Sequence, residues 1–313
     1  DDGSGYLAMS MAGIACDHIG FDLVPGDLIH RISSPNCYRK PEGLTDAQFL
    51  DLLADEFTAK IEELGADNVA AFFAEPIMGA GGVIVPPVGY HKRFAEICRQ
   101  NEILYVADEV VTAFGRLGHF FASESVFGMV PDMITSAKGL TSAYAPLGAT
   151  ILSDDIYEVI SVPQAKGAMF THGYTYSGHP VCCAAGLKNI EIMEREDICG
   201  HVRRVGPYFE QRLRELSDLP LVGDVRGSHF MLCVENVASK NTKELVAPEF
   251  AIGKRIADEC QSRGVLVRPI AHLNVMSPPL TLDTDQVDHL VDVLGASIKE
   301  VADQLAREGV KLD

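Results

Sequence analysis

Apolar residues recur along this chain with two alternating periods, and their alternation predicts its layout. Thr45-x-x-Gln48 has the form of a capping box, and Phe49, Leu52, Leu53, Phe57, Ile61 and Leu64 follow at helical spacing until Gly65. An amphipathic helix is expected there. Val69 to Ala74 is a short unbroken apolar run, the pattern of a strand buried on both faces, and a glycine-rich loop Gly79-Ala80-Gly81-Gly82 follows it. Tyr90 to Asn101 places Phe94, Ile97 and Cys98 on one helical face, while Ile103 to Ala107 and Met133 to Ser136 read as two more strands. Strands and helices alternating at this spacing predict an α/β fold with a mainly parallel sheet and helices on both faces.

After Pro180 the pattern is helical, through Ile192 and again from Val205 to Leu216, and the texture changes at Leu219-Pro220. Leu221 to Val225 and His229 to Val234 read as strands. Pro248 to Arg263 reads as a helix stopped by Gly264, and Gln286 to Ala306 as a terminal helix. The expected organisation is a large α/β domain over residues 1–217 and a smaller α+β domain over residues 218–313. A chain of 313 residues with 47% hydrophobic content has the material for both cores.

Charge and composition remove several classes of function. A formal net charge of -18 at pH 7, with no Lys/Arg cluster or interleaved aromatic stripe, works against nucleic acid as a partner. No apolar stretch reaches the roughly 18 residues that cross a bilayer, and the first residues lack a basic segment followed by an apolar core. A soluble cytoplasmic protein without a membrane partner is expected. The eight cysteines include no Cys-x-x-Cys pair, which favours reduced thiols over a disulfide framework or a zinc site. The ten histidines lack metal-ligand spacing, so no metal is expected, and the glycine loop lacks the lysine and hydroxyl residue of a nucleotide phosphate loop.

The informative chemistry lies at two strand exits. Asp108-Glu109-Val110 follows the run Ile103 to Ala107, and Lys138 follows Met133-Ile134-Thr135. Parallel sheets assemble active sites at such exits. Alone, an Asp there fits a helix cap and a Lys fits a solvated side chain. Together, an amine and a carboxylate suit pyridoxal phosphate: the amine forms an imine with the aldehyde, and the carboxylate keeps the ring nitrogen protonated so that the ring can accept electrons.

The flanks carry more than the pair. Asp108-Glu109-Val110-Val111-Thr112-Ala113-Phe114-Gly115-Arg116-Leu117-Gly118 and Pro131-Asp132-Met133-Ile134-Thr135-Ser136-Ala137-Lys138-Gly139-Leu140 resemble the signature of class III pyridoxal-phosphate aminotransferases. So do Phe73-Ala74-Glu75-Pro76-Ile77-Met78-Gly79 and Thr171-His172-Gly173-Tyr174-Thr175-Tyr176-Ser177-Gly178-His179-Pro180, and the resemblance runs from Leu7 to the final helix. Ala113 departs from it, standing where the family more commonly has glycine.

The resemblance implies the fold type I of pyridoxal-phosphate enzymes, with Lys138 as the Schiff-base lysine. In that role Lys138 holds the cofactor as an internal aldimine and moves a proton between Cα and the cofactor's C4′. It implies Asp108 as partner of the ring nitrogen. Val110, on the same side of an extended backbone, would press on a ring face, although core packing fits that residue equally well. Thr175 resembles the phosphate ligand given across the interface of a homodimer, with Tyr174 beside it; a turn cap before Pro180 is the other reading. Arg268 resembles the arginine that binds the substrate carboxylate in the omega-aminotransferase branch, where a guanidinium fork matches a carboxylate, while its spacing also fits a surface ion pair. Ala80 and Val275 stand where the ornithine-type branch tends to carry a glutamate gate and a second carboxylate-binding arginine. The implied reaction moves an amino group from an omega-amino acid or amine donor to a keto-acid acceptor such as pyruvate. The alternatives are an aminomutase, racemase or decarboxylase on the same fold, or a non-catalytic fragment. The sequence opens at Asp1 without methionine, partway into the family's large domain. An upstream segment with a Gly-Ser phosphate loop and a ring-stacking aromatic is therefore expected to be missing.

Overall fold

The computed structural model describes residues 5–162, 165, 167 and 169–313. They fall into two compact units, the first made of residues up to Pro76, 86–114 and 120–196, the second of residues 77–85, 115–119 and 197–313.

The first unit contains α1 (Tyr6–Met11), α2 (Asp46–Leu64), β1 (Ala71–Ala74), α3 (Tyr90–Gln100), β2 (Leu104–Asp108), α4 (Ala122–Ser125), β3 (Met133–Ser136), β4 (Ala149–Leu152), α5 (Asp154–Ser161) and α6 (Pro180–Arg195). Its sheet runs β1-β2-β3-β4, with the first three strands parallel and β4 antiparallel. The capping box forms: Gln48 N donates to Thr45 Oγ1 at 3.2 Å and Thr45 N donates to Gln48 Oε1 at 2.9 Å. From that start α2 buries Phe49, Leu53, Phe57 and Ile61 against Tyr90, Phe94 and Ile97 of α3 and Tyr105 of β2, with Phe57 and Phe94 stacked at 4.9 Å. β1 corrects one expectation. A single-turn helix over Ala66–Asn68 delays its start to Ala71, and as an edge strand it leaves Phe73 exposed rather than buried on both faces.

The second unit contains α7 (Ile198–Arg214), β5 (Val222–Ser228), β6 (Met231–Asn236), α8 (Ile252–Ser262), β7 (Arg268–Ile270), β8 (Leu273–Met276) and α9 (Thr284–Arg307). Its sheet runs β5-β6-β8-β7 and is antiparallel throughout. Gly227, inside β5 and paired with Leu232 of β6, has φ 122°, and a Cβ there would lie 2.1 Å from Met231 O. Phe209 and Leu213 of α7, Phe230, Ile256 of α8 and Leu294 and Ile298 of α9 form one buried core. The change of texture at Leu219-Pro220 lies inside this unit, because α7 upstream contributes to that core. α7 also begins earlier than its apolar pattern predicts: Asp197 caps it, accepting from Gly200 N at 3.1 Å, and the helix continues through Pro207. The helix expected from Pro248 starts at Ile252, since Ala251 has φ 43° and separates a single turn from α8.

Candidate active site at the strand ends

Asp108 is the last residue of β2 and pairs in register with Thr135 of β3. The ladder runs one step further, where Glu109 N donates to Thr135 O at 2.9 Å. Neighbouring strands lie about 4.8 Å apart, and Lys138 follows Thr135 by at most about 11 Å of extended chain. The two Cα atoms therefore lie within about 16 Å, at the same end of one sheet. Asp108 is half-buried, and its Oδ1 accepts from Val110 N at 3.1 Å, so the carboxylate folds back over the turn it opens. Val110 is also half-buried.

Lys138 begins a single-turn helix, Lys138–Leu140, with φ 34° and an exposed side chain. Left-handed backbone at a non-glycine residue is strained and persists only where its surroundings enforce it. Those surroundings are visible. Asn189 of α6 donates to Gly139 O at 2.8 Å and to Leu140 O at 3.2 Å, and a Cβ on Gly139 would lie 2.8 Å from the Cβ of Phe114. Phe114 itself has φ 54°. The loop after Asp108 and the turn after β3 are therefore pressed together, and glycine at 139 is what permits it.

The other expected site residues sit on other elements. Tyr174 and Thr175 sit on an exposed turn before α6, in which Tyr174 N donates to Ser177 Oγ at 2.9 Å and Ser177 N donates to Tyr174 O at 2.9 Å; Tyr174 is 78% exposed. Arg268 opens β7, the edge strand of the second unit's sheet, and is exposed. Its cross-strand partner is Val275, so two positions that the sequence singled out separately share one pair. The glycine-rich loop with Ala80 belongs to the same unit, where Arg226 Nε donates to Gly82 O at 2.9 Å while Arg226 Nη1 reaches Asp224 at 3.0 Å and Glu235 at 2.5 Å. Sequence reasoning missed Asn189 and Glu109. Asn189 carries no local signal, but a charged residue between a buried strand and an apolar turn does mark Glu109.

The donor set fits pyridoxal phosphate. A lysine able to form an imine and a carboxylate able to pair with a ring nitrogen leave the ends of adjacent parallel strands, and the turn beneath them is braced from α6. Sheet and site define a pyridoxal-phosphate transferase of the α/β type. The chain belongs to the class III aminotransferases: that family's model matches residues 6–298. It is 38% identical to an uncharacterized aminotransferase of Sinorhizobium fredii over 99% of this chain and 67% of that protein. It is 37% identical to a probable gamma-aminobutyrate transaminase of Oryza sativa subsp. japonica over 97% of this chain and 63% of that protein. An omega transaminase from Pseudomonas jessenii, solved in complex with PMP, superposes with a TM-score of 0.91 at 34% identity, over 96% of this chain and 66% of that one. The chain thus spans about two thirds of the length of the relatives it matches. The family's cofactor is pyridoxal 5′-phosphate.

Proposed function

We propose that this chain carries the catalytic lysine and the ring-nitrogen acid of a transaminase that moves an amino group from an omega-amino acid or amine to a keto acid such as pyruvate. The register of β2 against β3, which sets Asp108 opposite Thr135 and so brings the Lys138 turn to the same sheet end, is the observation that carries the reading. When bound, pyridoxal phosphate supplies an aldehyde to take the amine and a ring to accept electrons. The Lys138 amine anchors the cofactor and carries a proton to and from the substrate's Cα. Asp108 holds a proton at the ring nitrogen, and Val110 packs on a ring face. Arg268 takes the substrate carboxylate as a two-point donor, and Val275 opposite it adds no second guanidinium. That pairing favours a donor with a single carboxylate, or an amine with none.

Thr175 and Tyr174 are proposed to act on the cofactor phosphate of a second copy in a homodimer. Their exposure supports this, as does the exposure of Phe170, Val181 and Leu187 in the same stretch of chain. All eight cysteines are free thiols, which fits a reducing compartment such as the cytoplasm. Among the described residues no helix is long and apolar enough to cross a membrane.

The test is spectroscopic. Purified protein with pyridoxal phosphate is expected to absorb near the visible edge, to lose that band in Lys138→Ala, and to form alanine from pyruvate with an amine donor. A band unchanged in the variant removes Lys138 from its role. A Lys138-dependent band without alanine points to a different reaction on the same cofactor.

A further inference from the structure

Glu109 stands between the ring-nitrogen acid and the ring-face residue, yet the chemistry above does not use it. Its side chain is 0% exposed. Oε2 accepts from Thr112 Oγ1 at 3.0 Å and from Ala122 N at 2.7 Å, and Oε1 accepts from Ser123 N at 2.8 Å and Ser123 Oγ at 2.6 Å. Its backbone is engaged as well: the N–H donates to Thr135 O at 2.9 Å, and the carbonyl accepts from Ala113 N at 3.0 Å. A buried carboxylate is tolerated only when its oxygens are satisfied, and this one gathers donors from residues that follow it by as many as 14 positions. It closes the loop that leaves β2 at its base.

Glu109 sends its side chain into the loop that follows, onto Ala122 and Ser123, while Val110 already lies in the turn that Asp108 opens. Asp108 Oδ1 accepts from Val110 N, so the direction of the Asp108 carboxylate depends on the peptide between Glu109 and Val110. Anchoring the Glu109 side chain on Ala122 and Ser123 fixes that peptide. We infer that Glu109 is a positioning residue for the cofactor acid, locking the strand exit so that Asp108 and Val110 are presented together before the cofactor arrives. The inference rests on the proposed role of Asp108. A carboxylate is required because a glutamine of the same shape turns an NH2 group toward N–H donors, losing about half of the acceptor set without changing the volume.

The experiment compares wild type with Glu109→Gln in two measurements, amide hydrogen exchange of the protein without cofactor and absorbance titration with pyridoxal phosphate. Val110 N–H is expected to exchange at least tenfold faster in Glu109→Gln while α3 and β6 keep their protection, and the apparent Kd for pyridoxal phosphate is expected to rise at least tenfold. Unchanged protection at Val110, in a variant that has lost protection at Ala122 and Ser123, overturns the inference. So does a freed Val110 with an unchanged Kd. If wild type takes up no cofactor, the reading of Asp108 falls, and the exchange result alone still decides whether Glu109 holds Val110. Should Glu109→Gln fail to fold, Thr112→Val removes one donor and leaves the carboxylate. A two- to threefold acceleration at Val110 supports the inference there, and none overturns it.

Discussion

The two compact units close their apolar surfaces to different degrees. In the second, every residue of β6 is buried, and α7, α8 and α9 contribute to a single core around it. In the first, α2 and α3 cover the sheet near β2 with equal thoroughness, yet three of the four residues of β4 are exposed and α6 leaves Val181 at 67% and Leu187 at 71% exposure. Left-handed non-glycine backbone occurs in both units, but in the first it falls at Phe114 and Lys138, beside the candidate site. A unit whose chemistry gathers at strand ends, and whose phosphate ligand is proposed to serve a second copy, leaves apolar surface for that copy to cover. The antiparallel unit has no such demand and closes on itself.

The largest expected effect breaks the self-contained core. Phe209 is fully buried and meets Phe230 edge-to-face at 6.1 Å, so Phe209→Ala should cost about 3–5 kcal/mol, read as a fall in denaturant midpoint. Leu187→Ala in the first unit should cost no more than about 0.5 kcal/mol. Equal costs would end the comparison.

Acid should then weaken the first unit through one buried group. His91 is enclosed by Tyr105 Oη at 2.8 Å on Nδ1 and Pro76 O at 2.8 Å on Nε2, and burial pushes its pKa down to about 4. The folded pKa lies below the unfolded value of about 6.5, so the neutral ring's contribution is complete above pH 6.5. It is lost as pH falls toward 4, and amounts to about 3 kcal/mol over that window. Urea midpoints measured between pH 7 and 4 should fall less steeply in His91→Gln than in wild type. Parallel slopes would remove His91 as the cause.

Self-association comes next. Leu187→Asp puts a charge on the exposed face of α6 and should shift sedimentation from dimer to monomer, raising the dissociation constant at least tenfold, about 1.4 kcal/mol. The corresponding change in the second unit, Leu266→Asp at a residue 81% exposed, should leave the oligomer unchanged.

The sequence made the helical cores legible because their signals are local. The capping box at Thr45 and the apolar spacing to Leu64 reproduce α2, and Met133 to Ser136 matches β3 residue for residue. β4, β7 and β8 were not legible. They are strands of three or four residues whose pairing depends on neighbours distant in the chain, such as Ser136 for Ala149 and Leu232 for Met276. The paired charges at Asp108 and Lys138 could be read from their place after apolar runs. The supports were less legible: Asn189 reaches Gly139 across 50 positions, and Glu109, marked only by its place between a buried strand and an apolar turn, is known as an anchor once Ala122 and Ser123 fold back onto it.

A smaller loss of stability than that of Phe209→Ala comes from a feature that the two units share. α9 has its own capping box, in which Gln286 N donates to Asp283 Oδ1 at 2.9 Å and Asp283 N donates to Gln286 Oε1 at 3.1 Å, matching Thr45 and Gln48 on α2. Thr45→Ala and Asp283→Ala should each cost about 1 kcal/mol by leaving a first-turn amide without its acceptor. A carboxylate at a helix start also interacts with the helix dipole, which adds about 0.3–1 kcal/mol at low ionic strength and is screened by salt. The cost of Asp283→Ala should therefore exceed that of Thr45→Ala in dilute buffer and converge with it in 1 M NaCl, measured as denaturant midpoints under both conditions. A difference that persists in salt would mean that packing at the start of α9, rather than its cap, sets the larger cost. The second unit's tighter core would then extend to its helix ends.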